Sequence, residues 1–156
     1  MVSTSGHRLL AENAVSALTE SIFPIACIIT PNIPEAEILS EMEIKNPDQM
    51  VKSAEIIYEK FGGNVLLKGG HLESTAADLL YADGVKTWFE TKKIDNPNTH
   101  GTGCTLSSAI ASNLGKGMNV KESVKLAKDY VTGAIMDGLD LGRGRGPLNH
   151  MYKNII

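Results

Sequence analysis

Apolar positions along this chain follow two rhythms: a three-to-four spacing, and short unbroken runs closed by proline or glycine. Residues 9–20 show the first, with Leu10, Ala14, Ala17 and Leu18 on one stripe, which predicts a helix. Residues 25–29, IACII, show the second. Bounded by Pro24 and Pro31, they suit a strand buried on both faces, with Cys27 inside it. Pro34, two residues after Asn32, pre-sets the first turn of a short helix reaching about Ser40. Asn46-Pro47 repeats that start signal. Met50, Val51, Ala54, Ile57, Tyr58 and Phe61 then keep helical spacing until Gly62-Gly63.

A second buried strand, NVLLK at 64–68, is released by Gly69-Gly70. Residues 77–81 and 85–91 flank Ala82-Asp83-Gly84, and Asp-Gly between strand-like runs signals a hairpin. A helix is expected from about Gly103 to Leu114. Another is expected from Asn119 to about Leu139, with Val120, Val124, Ala127, Val131 and Ile135 inward. The tail, LGRGRGPLNHMYK, is glycine-rich and basic, more loop than element. Strands alternating with helices, then a hairpin, predict an α/β sandwich with a mostly parallel sheet. No repeat or linker divides residues 1–156, so the expectation is one domain, or part of a larger one.

Composition narrows the function classes. At 42% hydrophobic and 21% charged, the chain is far from disordered composition. A net charge of -3 gives no general attraction for nucleic acid or an anionic membrane. No apolar run approaches the roughly 20 residues of a spanning helix, and MVSTSGHRLL lacks a signal-peptide pattern. Cys27 and Cys104 are far apart, and His7, His71, His100 and His150 are scattered, which argues against zinc. A reducing, cytoplasmic setting is expected.

The candidate chemistry centres on residues 98–114, NTHGTGCTLSSAIASNL, where a cysteine follows Gly101-Thr102-Gly103 as helical spacing begins. The glycines let the backbone turn tightly and approach a ligand. First-turn amides have no intrahelical partners and, with the helix dipole, favour an anion, most often a phosphate. Cys104 is thereby placed to hold negative charge or accept a proton beside that phosphate. G-x-G before a helix is weak evidence alone, since the glycines also suit a plain turn and the cysteine a packed position.

Two further strand ends add to it. Thr30-Pro31-Asn32-Ile33-Pro34-Glu35 puts an amide and a carboxylate at the carboxyl end of the first strand, where open α/β sheets bind ligands. A carboxylate there can hold magnesium, usually through water, although a first-turn acid also stabilises its own helix. Lys68-Gly69-Gly70-His71 closes the second strand. Its lysine reads either as a snorkelling surface residue or as a point charge for phosphate oxygens. An acid, a base and an anion cradle are the parts that phosphoryl transfer needs.

T-P-N-x-P-E-A-E, V-L-L-K-G-G-H, N-T-H-G-T-G-C-T-L-S-S-A-I and the late G-R-G-P-L-N-H resemble the hydroxymethylpyrimidine/phosphomethylpyrimidine kinases of thiamine biosynthesis, which are ribokinase-like. The match runs in order from residue 1 to the tail. The resemblance implies a ribokinase-like three-layer α/β/α sandwich, ATP and Mg2+ as cofactors, and a small-molecule pyrimidine substrate. It ties Asn32 and Glu35 to magnesium and phosphate, Lys68 to ATP phosphates, and Gly101, Thr102, Gly103 and Cys104 to the anion hole. Most ribokinase-like enzymes carry an aspartate base where this subgroup has the cysteine, so Cys104 would help deprotonate the substrate's hydroxymethyl group or its phosphate. Thr99 falls among the cofactor-binding positions, with no sharper role than shaping the loop it shares with His100. His71 reads as structural or near the nucleotide.

MVSTSG resembles an interior stretch of the family, just after a D-P-V. The resemblance therefore implies that the first sheet strands and most of the pyrimidine pocket are missing. A fragment or truncated product is expected, self-associating or needing a partner that supplies the missing half. A pyridoxal-type vitamin kinase is the rival within the class, and a non-catalytic remnant or interaction module the rival outside it. A cysteine phosphatase is set aside, because its loop places arginine six residues after the cysteine and Ile110 stands there. Arg143 and Arg145 read as a solvated loop rather than a nucleic-acid contact.

Overall fold

A computed structural model of the chain describes residues 11–70, 76–91, 94, 96, 101–139, 141 and 146–153. Two compact units divide the chain, 1–91 and 92–156. The start MVSTSG, Leu10, His71, Thr99, His100, Arg143 and Arg145 lie outside the described residues.

In the first unit, α1 (Glu12–Ala17) runs on into a π-helical turn, Leu18–Ile22, and a 3₁₀ turn, Phe23–Ile25. Helical structure therefore reaches past the expected end at residue 20, and Ala17 is exposed rather than on an inward stripe. Pro24 is the cause. Its fixed φ suits a helical turn, and its missing N–H costs nothing at the turn's start. The Ala26 N–H then closes onto the Phe23 carbonyl at 3.1 Å. This shortens the expected strand 25–29 to β1, Ile28–Ile29. Ile25 is 80% exposed and Cys27 is exposed too, which corrects the expectation of a run buried on both faces.

The next elements follow their signals. α2 (Ile33–Ser40) starts at Asn32, and α3 (Pro47–Phe61) starts at Asn46, whose Oδ1 accepts the Gln49 N–H at 2.9 Å. Gly62, at φ 71°, ends α3. β2 (Asn64–Leu67), β3 (Ala76–Ala82) and β4 (Val85–Thr91) complete a sheet in the order β1-β2-β3-β4. β1 and β2 are parallel, while β2–β3 and β3–β4 are antiparallel. Within the described residues the sheet is thus mixed rather than mostly parallel, because Asp83 (φ 50°) and Gly84 (φ 75°) return the chain beside itself after two residues.

One core unites these parts. Ile29, Ile33, Ala36, Leu39, Met50, Ala54, Ile57, Val65, Leu67 and Leu79 are buried together, so α2 and α3 share the inward sheet face. Each large side chain among them contributes about 1.5–3 kcal/mol on burial. Where α2 meets α3, the Ser53 hydroxyl donates to Ser40 Oγ at 2.8 Å, and Ser40 donates to the Ala36 carbonyl at 2.6 Å, satisfying two polar groups inside apolar packing.

In the second unit, α4 (Thr102–Gly115) packs on α5 (Val120–Met136). Asn119 caps α5 by accepting the Glu122 N–H at 2.9 Å. Val124, Ala127 and Val131 are buried as expected, with Ser123 and Ala134 beside them, while Ile135 is only half-buried. The described part of the tail is anchored. Leu148 is buried, the Tyr130 hydroxyl donates to the His150 carbonyl at 2.9 Å, and the Tyr152 ring lies over Gly133. Among the described residues no helix is long and apolar enough to cross a membrane.

Candidate functional site

The first cluster grows from the end of β1. Asn32 is buried and caps α2 through its side chain. The Glu35 N–H donates to Asn32 Oδ1 at 2.9 Å, and the Asn32 N–H donates to Glu35 Oε2 at 3.0 Å. This reciprocal pair is a capping box, so the helix-stabilising reading of Glu35 is realised. It also fixes where the carboxylate sits: beside a cleft of about 170 Å³ lined by Leu18, Phe23, Ile29, Thr30, Pro31 and Leu39.

Lys68 follows β2 directly. It forms one parallel bridge with Asn32, and its N–H donates to the Pro31 carbonyl at 2.9 Å. Asn32, Glu35 and Lys68, chosen from separate stretches of sequence, are therefore brought together at the carboxyl ends of two parallel strands. Lys68 is half-buried, and no described carboxylate lies within ion-pair distance of its ammonium.

Gly69 accounts for the glycine after the lysine. A Cβ at this position would sit 2.0 Å from the Ala77 carbonyl oxygen, so only glycine allows β2 to leave β3 this closely. The Gly69 N–H donates to Asp78 Oδ1 at 2.9 Å. Asp78 is buried on β3, and the strand pattern does not single it out. A lone acid among apolar neighbours in AADLLYA was the available signal.

Gly101 to Cys104 lie in the second unit. Gly101, at φ 83°, precedes α4 as its N-cap and supplies no side-chain acceptor, and the first intrahelical bond runs from the Thr105 N–H to the Gly101 carbonyl at 2.9 Å. The Gly103 and Cys104 amides are thus first-turn donors without an intrahelical acceptor. Gly103 and Cys104 are exposed, Gly101 and Thr102 half-buried, and no atom crowds the space where a Gly101 Cβ would stand. The stretch is open rather than packed shut.

No three His, Cys, Asp or Glu side chains converge on one point among the described residues. A single carboxylate at a helix start nevertheless fits magnesium, which usually keeps water and phosphate oxygens as most of its ligands.

Comparison with known proteins adds a second line. The phosphomethylpyrimidine kinase family model matches residues 1–149. A hydroxymethylpyrimidine/phosphomethylpyrimidine kinase of Rhizobium meliloti is 42% identical, over 98% of this chain and 59% of that protein. The phosphomethylpyrimidine kinase of Clostridium difficile 630 superposes with a TM-score of 0.75 at 41% identity, over 86% of this chain and 54% of that one. An ADP complex of Bacillus subtilis pyridoxal kinase gives a TM-score of 0.85 at 37% identity, over 96% and 57%. The chain thus spans a little over half the length of each of these proteins.

Proposed function

The chain belongs to the phosphomethylpyrimidine kinase family, with a ribokinase-like α/β fold, and on that premise we propose that it serves ATP-dependent phosphorylation of hydroxymethylpyrimidine and its monophosphate. The observation that carries this reading is the bridge between Asn32 and Lys68, which sets the Glu35 carboxylate and a lysine with no ion pair to a described carboxylate at one pair of strand ends.

In this reading Lys68 binds phosphate oxygens as a point charge. Glu35, held by its cap, would carry magnesium through water with Asn32 beside it, and the ion would offset phosphate charge. The amides of Gly103 and Cys104 meet an anionic oxygen as charge develops, with Gly101 and Thr102 shaping the turn that presents them. The substrate's hydroxymethyl oxygen attacks the γ-phosphorus, the bond to the bridging oxygen breaks, and ADP leaves with that electron pair. Cys104 would help remove the proton from the hydroxymethyl group or, with the monophosphate as substrate, from its phosphate. Thr99, outside the described residues, keeps its place among the nucleotide-binding positions by resemblance alone. The reading extends to a second copy or a partner that completes the pyrimidine pocket.

A second reading, a pyridoxal-type vitamin kinase, is favoured by the likeness to the Bacillus subtilis enzyme. Calorimetry with ADP, followed by turnover assays with the pyrimidine alcohol and with pyridoxal, separates the two. ADP binding that weakens at least tenfold in Lys68→Ala supports the phosphate role, and equal affinity defeats it. Turnover of pyridoxal alone selects the second reading. Binding without any turnover points to a non-catalytic remnant, and sedimentation as a monomer that is active by itself overturns the need for a completing partner.

A further inference from the structure

Asp78 is a buried carboxylate that the proposed chemistry does not use. Continuing the β2–β3 register beyond Leu67↔Leu79 would set Lys68 opposite Asp78 and Gly69 opposite Ala77. Regular pairing stops there. The Gly69 N–H takes Asp78 Oδ1 on the β3 side as its acceptor instead of a ladder carbonyl, while on the β1 side the Lys68 N–H is tied to Pro31. Two consecutive amides are thereby clamped from opposite sides, one by the β1–α2 connection and one by β3. The side chain between those two anchors is that of Lys68.

Asp78 is also the acid nearest to Lys68 in register, yet its carboxylate is directed at the Gly69 backbone and makes no ion pair with the Lys68 ammonium. An acid in this place has two opposite effects on a phosphate held by Lys68: its charge repels the phosphate, and its hydrogen bond orients the lysine that attracts it. We infer that Asp78 is a positioning residue, which fixes the Lys68-Gly69 backbone so that the lysine presents its ammonium to a nucleotide phosphate. This inference rests on the nucleotide reading of Lys68. A charge-assisted hydrogen bond to a buried amide is strong enough for its orienting effect to outweigh the repulsion, which is softened by solvent around a lysine that is only half-buried.

Substitutions separate the two effects by sign. Asp78→Asn removes the charge and keeps an acceptor, so ADP affinity is expected to hold or rise. Asp78→Ala removes both, and ADP affinity is expected to fall about tenfold, while adenosine affinity, blind to the phosphates, stays unchanged. The fall should vanish when Lys68→Ala is already present, as coupled residues require. Should the alanine variant fail to fold, Asp78→Ser, too short to reach the amide, takes its place. Amide exchange at Gly69 provides the backbone readout: protected in the unaltered chain and in Asp78→Asn, fast in Asp78→Ala or Asp78→Ser. An alanine or serine variant that binds ADP as well as or better than the unaltered chain overturns the inference. So does an equal loss for adenosine and ADP. Failure of the unaltered chain to bind ADP defeats the nucleotide reading itself, and the inference with it, before any variant is compared.

Discussion

Asn32 and Glu35 exchange hydrogen bonds across the first turn of α2, each side chain accepting the other's backbone N–H. The same two residues carry the helix start and the proposed magnesium position, so a substitution can fail for either reason. A glutamine substitution at Glu35 distinguishes them, because a capping box accepts glutamine as readily as glutamate. Glu35→Gln is expected to keep its urea midpoint close to that of the unaltered chain while losing magnesium-dependent turnover. Asn32→Ala should cost about 1 kcal/mol of stability through the lost cap. Full turnover in Glu35→Gln would remove the carboxylate from the chemistry.

Gly69 and Gly70 are adjacent and similar in sequence, but their surroundings differ. An added Cβ meets backbone oxygen at 2.0 Å at the first and no atom within 4 Å at the second. Gly69→Ala is expected to destabilise the fold by about 1–3 kcal/mol, as an overpacked core position does. Gly70→Ala should stay within about 0.5 kcal/mol. Denaturant midpoints for the two variants check this directly, and equal midpoints would show that β2 leaves β3 less tightly than described.

Both cysteines are exposed, so both should react with a small thiol reagent in the folded chain. Only Cys104 stands at the open helix start, and bound ADP should slow its modification while leaving Cys27 unaffected. Mass spectrometry of the two peptides reads this out. Cys104→Ser is expected to lower the turnover rate far more than nucleotide affinity, and an unchanged rate would take the sulfur out of the reaction.

Lys60 Nζ lies 2.7 Å from Glu41 Oε1, and its hydrogen bond and charge hold the Glu41 carboxyl below the usual carboxylate range. A lowered folded value means the stabilisation is full above the ordinary carboxylate range and is lost as pH falls through the folded value. The Tm difference between Lys60→Met and the unaltered chain is therefore expected at neutral pH and should close as pH falls through the lowered Glu41 value. Both groups are exposed, so the difference should be small and should shrink with salt. A difference that persists in acid would assign it to packing of the lysine stem.

Much of this fold is written in local chemistry. Asn32, Asn46 and Asn119 announce their helices because each side chain caps the turn that follows, and Asp83-Gly84 announces the hairpin because both residues adopt positive φ. The segment 18–29 was legible only in part. IACII has the composition of a strand, but Pro24 favours one more helical turn, and that preference leaves Ile25 and Cys27 in solvent. Of the site, Asn32, Glu35 and Lys68 were readable as strand-end residues, while their adjacency needed the parallel bridge. Asp78 shows in the sequence only as a lone acid in AADLLYA, and its contact with Gly69 does not show at all, since a backbone amide leaves no mark in a sequence.

The chain's last described stretch is seated by a missing methyl group. A Cβ on Gly133 would stand 2.3 Å from the Tyr152 ring, so the helix surface carries a notch one carbon deep, and the aromatic ring fills it. Residues 146–153 thus behave as a latch whose fit can be altered from the helix side without touching the latch itself. An affinity tag joined after Ile156 would leave that notch filled, whereas a deletion reaching Tyr152 would bare the flank of α5 to water.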